Sequence, residues 1–243
     1  MTKKTKWLLL VLACAVAVLA GYLVGPAVGQ LLHPQPAATP STPQEREDAA
    51  RALGLLDSVT VRTRTKVAGY DRSCAPGRGC VFGPAWSDDT SAPGGHNGCD
   101  TRNDVLAAQL SHVDKGSSRC VVQSGTLADP YSGTTITFRK AQADAVEIDH
   151  VVPLAYAWDM GAAGWTLDQR MVFANDEAVE LLAVGKDANQ AKGDQGPGSW
   201  EPSNVPYRCR YAIRWVDVVS SYGLALTRSD RDTLRGTLRS CAA

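Results

Sequence analysis

The longest apolar stretch runs from Trp7 to Val24, 18 residues without a charge. Beyond it the apolar positions become periodic. Ala49, Ala50, Leu53 and Leu56 recur at helical spacing, after a Thr42-Pro43-Gln44-Glu45 start that predicts a capping box. Val59, Val61, Thr63, Thr65 and Val67 alternate with Thr60, Arg62, Arg64 and Lys66, a period of two that predicts a strand. Residues 69–99 have no period and are rich in Gly, Pro, Asp and Ser, which predicts a long loop. Helical spacing returns over Thr101–Val113, with Thr101 as expected cap. Two strands are expected over Arg119–Leu127 and Thr134–Phe138, joined by a Pro- and Gly-containing turn. Further on the pattern predicts short helices over Ala155–Met160 and Thr166–Phe173, and a strand over Val179–Val184. A helix capped by Asp187 follows, then helices over Tyr207–Tyr222 and Thr227–Leu238. Strands and helices do not alternate regularly, so the expected fold class is α+β.

The chain has 243 residues, 44% of them hydrophobic, enough for one domain with a core. The reading divides it into a signal-anchor at 1–32, a linker at 33–44 holding Pro34, Pro36, Pro40 and Pro43, and a domain at 45–243. Lys3, Lys4 and Lys6 precede the apolar run, and no Lys or Arg follows before Arg46. The expected orientation leaves the N-terminus in the cytoplasm and the domain outside, as a membrane-anchored protein. Cleavage near Ala27-Val28-Gly29 would release it as a secreted one. Net charge is zero over 25 basic and 25 acidic residues, and removing the three N-terminal lysines leaves the rest acidic by three. Bulk charge therefore does not announce a nucleic-acid binder, and phosphate affinity must come from local clusters or a cation.

Cysteine usage agrees with export. Apart from Cys14 there are six, which an oxidising compartment favours pairing. Of 15 connectivities the expected one joins neighbours: Cys74–Cys80, Cys99–Cys120 and Cys209–Cys241. A zinc site at Cys74, Cys80, His96 and Cys99 is the less favoured reading, because no Cys-x-x-Cys pair is present.

The chemistry concentrates in Glu147-Ile148-Asp149-His150-Val151-Val152-Pro153-Leu154, with Asn175 and Asn189-x-x-Lys192 downstream. Pro153 must leave a strand ladder, so Asp149 and His150 are expected at a strand end. The Asp149 carboxylate and an Asn189 amide oxygen suit magnesium, which wants oxygen ligands. The neighbouring imidazole, with an ordinary pKa near ~6.5, suits a general base. Asn189 and Lys192 are three apart and share a helix face. Glu147 is either a supporting partner or exposed. Arg102 and Asp100 read as a buried structural ion pair, with substrate contact the less favoured alternative; His96 and His112 read as structural or surface residues, and Trp158, Trp165, Trp200 and Trp215 as core.

The pattern Asp-His-x-x-Pro, then Asn, then Asn-x-x-Lys-Gly resembles the HNH nucleases of the ββα-metal superfamily. Cys99-Asp100-Thr101-Arg102-Asn103-Asp104-Val105-Leu106, Arg170 to Asp176, Trp200-Glu201-Pro202 and Cys209-x-Tyr211 look like its DUF1524 branch, which includes the C-terminal domain of GmrSD-type restriction enzymes. The resemblance implies a ββα finger at about 145–195, within a metal-dependent endonuclease. It implies His150 as general base, Asp149 and Asn189 as ligands of one divalent cation (magnesium, with manganese the alternative), Asn175 as the asparagine that positions the hairpin, and Lys192 as a basic residue near the scissile phosphate. The implied partner is nucleic acid, DNA rather than RNA, with the membrane contacted through the N-terminal helix; no protein partner is inferable. No Cys lies between 121 and 208, so the finger is expected to be supported by packing and disulfides rather than by zinc. An inactive scaffold module that keeps the fold is the second reading. A metallopeptidase is a third, and it lacks His-Glu-x-x-His.

Overall fold

A computed structural model describes residues 42–243. The expected anchor and nearly all of the linker lie outside the described residues. Among the described residues no helix is long and apolar enough to cross a membrane.

Helix α1 (Pro43–Ser58) opens with the expected capping box: Thr42 Oγ1 accepts the Glu45 N–H at 3.1 Å, and Glu45 accepts the Thr42 N–H at 3.0 Å. It buries Ala49, Ala52 and Leu56, whereas Ala50 is exposed. Its partners are α6 (Arg208–Tyr222) and α7 (Arg228–Ala242). Trp215, Val216 and Val219 of α6 and Leu234 and Leu238 of α7 complete the larger core, and Cys209–Cys241 ties the two helices. Residues 59–67 do not form the expected strand. They run extended with one bridge, Val61 to Leu226, because no strand edge adjoins them. Their basic face is used structurally: Arg62 donates to the Asp159 carbonyl, and Arg64 pairs with Asp159 and Asp194.

The second core lies under α2 (Thr101–Gln109), where Val105 and Leu106 pack with Leu127, Phe138, Val146 and Ile148. Asp100, not Thr101, caps α2, accepting the Asn103 N–H at 2.9 Å. The expected helix stops at Gln109; Ser111–Asp114 is instead β1, paired antiparallel with β2 (Ser124–Ala128), which pairs with β3 (Thr135–Arg139). The reason is tertiary, since the edge of β2 takes the chain after Leu110. A separate two-stranded sheet joins β4 (Val146–His150) to β5 (Leu181–Gly185), with Asp149 opposite Leu182. Between them lie α3 (Leu154–Asp159) and α4 (Leu167–Ala174); α5 (Lys186–Lys192) follows β5 directly. Gln109 covers the outer edge of β5, donating to Leu181 O and accepting from Ala183 N.

The three disulfides are the expected neighbour pairs, Cys74–Cys80, Cys99–Cys120 and Cys209–Cys241. The zinc alternative is thereby corrected, because its cysteines are bonded to one another. Trp158 and Trp215 are buried, and Trp165 and Trp200 pack partly buried against the same core, as the pattern suggested.

Candidate active site

Alternation along β4 sends Val146 and Ile148 into the second core, while Glu147 and Asp149 turn toward α5. His150 ends the strand, and Pro153, with no N–H to offer, begins α3. His150 Nε2 lies 2.9 Å from the Ala174 carbonyl at the end of α4. A carbonyl only accepts, so Nε2 carries the proton and Nδ1 keeps its lone pair. The Trp86 ring stacks on the imidazole, centroids 5.7 Å apart at 12°. Trp86 itself is held at φ +56°, a strained conformation for a bulky residue and one associated with functional sites. Burial pushes the His150 pKa down to about 4, against the pull of the Ala174 carbonyl, so the ring is neutral and able to accept a proton at pH 7.

Two clefts meet at His150. The polar one, ≈ 400 Å³, is lined by Glu147, Asp149, Asn189, Arg72 and Arg102 as well as His150. The apolar one, ≈ 170 Å³, is lined by Phe82, Pro84, Trp86, Leu154 and Asn175 and shares Arg72 and His150.

The carboxylate of Asp149 is 5% exposed and heavily engaged. Lys192 Nζ donates to both its oxygens at 2.8 Å, and the Tyr131 hydroxyl donates to Oδ2 at 2.6 Å. A carboxylate has roughly four lone-pair sites; three are filled, and the open one is on Oδ1. Burial raises the Asp149 pKa while Lys192 and Tyr131 oppose it. Lys192 is 0% exposed. Its third donor goes to the His150 carbonyl at 2.8 Å. Its three N–H groups are therefore all engaged within the protein, and in this arrangement Lys192 holds Asp149 and the strand end in place.

Asn189 does stand beside β4. Its Nδ2 donates to Glu147 at 2.7 Å, which leaves Oδ1 for another partner. Gln190 donates to the second Glu147 oxygen at 3.3 Å. Gly193 then turns the chain away at φ +54°, a conformation that favours glycine. Among the described residues no three His, Cys, Asp or Glu side chains converge as a metal cluster. The donors at the cleft are two carboxylates and one amide oxygen, all hard ligands. They fit a divalent cation that keeps several of its waters, in the manner of magnesium.

Asn175 caps α4 at 2% exposure. Its Nδ2 donates to Met171 O at 2.9 Å, and its Oδ1 is buried without a partner. It bonds its own helix rather than the strands; contact with β4 is made one residue earlier, through the Ala174 carbonyl. Arg102 donates to Ala143 O and Val146 O rather than pairing with Asp100.

Residues 100–236 match the family of C-terminal domains of GmrSD restriction endonucleases. The chain belongs to that family. The matched segment contains Glu147, Asp149, His150, Asn175, Asn189 and Lys192, whereas Arg72 and Trp86 precede it. The GmrSD-type chain is also 39% identical over 207 residues to an uncharacterized secreted protein of Arthroderma benhamiae (strain ATCC MYA-4681 / CBS 112371), covering 85% of this chain and 92% of the relative. No solved structure matches it.

Sequence reasoning missed Tyr131, Trp86 and Arg72. Tyr131 looked like a turn residue, and the other two sit in the aperiodic 69–99 loop, where no spacing marks a residue for a site. The repeated aromatic and basic residues of that loop were the available signal.

Proposed function

We propose that this protein is an exported, metal-dependent endonuclease that hydrolyses phosphodiester bonds of nucleic acid, with DNA the expected substrate. One observation carries the reading: the Ala174 carbonyl fixes the His150 tautomer with Nδ1 unprotonated, and His150 lines a cleft that also holds the oxygen donors of Glu147, Asp149 and Asn189. On this reading β4, β5 and α5 are the ββα finger. Asp149 and Asn189, with Glu147 beside them, would hold one divalent cation, magnesium or manganese. When bound, such a cation polarises a phosphate oxygen and lowers the pKa of bound water.

His150 takes the proton of the attacking water at Nδ1 as the water oxygen bonds to phosphorus. The bond from phosphorus to the leaving sugar oxygen breaks, and solvent protonates that oxygen. Lys192 positions Asp149 without touching substrate. Asn175 caps the helix whose Ala174 carbonyl orients the imidazole. Export is supported by three disulfides and by the secreted relative; the N-terminal apolar run would deliver the chain, as an anchor or as a cleaved signal.

The test is incubation of purified, disulfide-bonded protein with plasmid DNA, with single-stranded DNA and with RNA, with EDTA and with added Mg²⁺ or Mn²⁺. Nicking that stops in EDTA and returns with metal is expected. Absence of cleavage with either metal, or cleavage undiminished by EDTA, refutes the reading.

A further inference from the structure

The Asp71–Val81 segment is folded back and pinned on itself. The Asp71 carboxylate accepts from Arg78 Nε and Nη2 at 2.6 and 3.0 Å and from the backbone N–H groups of Ser73 and Gly79. Cys80 N donates to Ser73 O, Val81 N donates to Asp71 O, and Cys74–Cys80 closes the segment. Arg72 stands inside this framework. It is exposed, lines both clefts, and among the described residues its guanidinium has no hydrogen-bond or ion-pair partner. An unpaired arginine is ordinarily a solvated surface residue. This one is carried by a pinned backbone to the junction of two clefts, beside His150.

The polar cleft, where the proposed divalent cation would sit, offers a phosphate few side-chain cations. It carries the carboxylates of Glu147 and Asp149, and a phosphodiester brings another negative charge. Lys192 is spent on Asp149, and Arg102 is committed to two backbone carbonyls. Arg72 remains, with a planar fork suited to phosphate. On its other side lies the apolar cleft. At ≈ 170 Å³ it is smaller than the roughly 300–1,000 Å³ of drug-sized sites, so it suits one ring system. Its wall includes Asn175, whose buried Oδ1 lacks a partner. A base stacked in a duplex cannot enter such a cleft without being unstacked.

Resting on the nuclease reading, we propose that Arg72 binds the substrate phosphate and that the apolar cleft receives the attached nucleoside, so that the substrate is a strand with unpaired bases. The probe is a fluorescein-labelled thymidine 12-mer, compared with a duplex of equal length, bound to full-length His150→Ala protein with its disulfides formed. Anisotropy is read across 50–200 mM salt. The single strand should bind at least tenfold tighter than the duplex. Arg72→Ala should weaken single-strand binding about tenfold, as for a lost charged hydrogen bond. It should also flatten the logarithmic salt slope by roughly 0.7, one phosphate contact; Arg72→Lys should keep the slope. Ala85→Trp, at an exposed position lining the apolar cleft, should weaken binding several-fold with the slope unchanged. An Arg72→Ala protein with the parent affinity and slope overturns the arginine's role. Equal binding of duplex, or an indifferent Ala85→Trp, overturns the nucleoside site. Wild-type protein that binds through Arg72 yet cleaves nothing with metal would remove the nuclease reading alone; cleavage with an Arg72-independent slope would remove only this inference.

Discussion

Replacing Lys192 by methionine separates two roles for that residue. Its side chain is fully buried, its three donors go to Asp149 Oδ1, Asp149 Oδ2 and His150 O, all at 2.8 Å, and nothing else positively charged donates to Asp149. Methionine matches the stem and removes the charge, so Asp149 is left buried with only the Tyr131 hydroxyl for company. Breaking one partner of a buried ion pair costs about 3–5 kcal/mol, because the remaining charge is uncompensated. For a domain of this size, roughly 2–4 °C of melting temperature goes with each kcal/mol. The expected fall is therefore roughly 6–20 °C, measured by calorimetry on the disulfide-bonded protein. Adding Asp149→Asn to Lys192→Met should recover a substantial part of it, since the two residues are coupled and their effects do not add. A Lys192→Met protein that melts within about 2 °C of the parent, yet cleaves far more slowly, would refute this account. It would mean that the ammonium serves the phosphate after all.

His150→Ala should lose about 10²–10⁴-fold in cleavage rate, the usual contribution of a general base, while calorimetry still detects Mg²⁺ binding; a folded variant that nicks at the parental rate ends the mechanism. Asn189→Ala and Glu147→Gln should raise the metal concentration needed for half-maximal cleavage, with excess Mg²⁺ restoring much of the rate. If excess metal restores nothing, these side chains are not ligands. Glu177 has its pKa raised from 4.5 to about 7, chiefly by burial and then by Asp104 and Asp176. A carboxyl with a raised folded pKa binds its proton more tightly in the native state, so its contribution to stability falls as pH rises from 4.5 to about 7. Glu177→Gln should therefore raise the melting temperature at pH 8 more than at pH 4.5; an equal shift at both pH values contradicts the assignment.

Several elements were legible in the sequence because their causes are local. Thr42 with Glu45 closes the expected capping box within four residues. The six cysteines pair with their neighbours, which short intervening loops favour. Asp149, His150 and Asn189 line one cleft, a grouping that the resemblance to the HNH pattern implied; β4 ends just before a proline and α5 begins directly after β5. The misplaced elements had non-local causes. Alternation over 59–67 was real, yet a strand needs a neighbouring edge, and these arginines instead answer Asp159 and Asp194, about a hundred residues away in sequence. The helix expected to reach Val113 was cut short by the edge of β2.

The sequence by itself determined the inventory: an α+β domain, six cysteines that pair with their neighbours, and a carboxylate, an imidazole and amides able to move a proton and to offer oxygen ligands. Only the tertiary structure decided what each group has left to give. Lys192 and Asp149 are 43 positions apart, and nothing in their spacing says that the ammonium's three donors are consumed. Tyr131, Trp86 and Arg72 come from turns and an aperiodic loop, where side-chain direction is set by disulfides and long-range hydrogen bonds rather than by period. The proton on His150 was likewise assigned by a carbonyl 24 residues away. Residue type states which bonds a side chain can make, and the fold decides which of them are already taken.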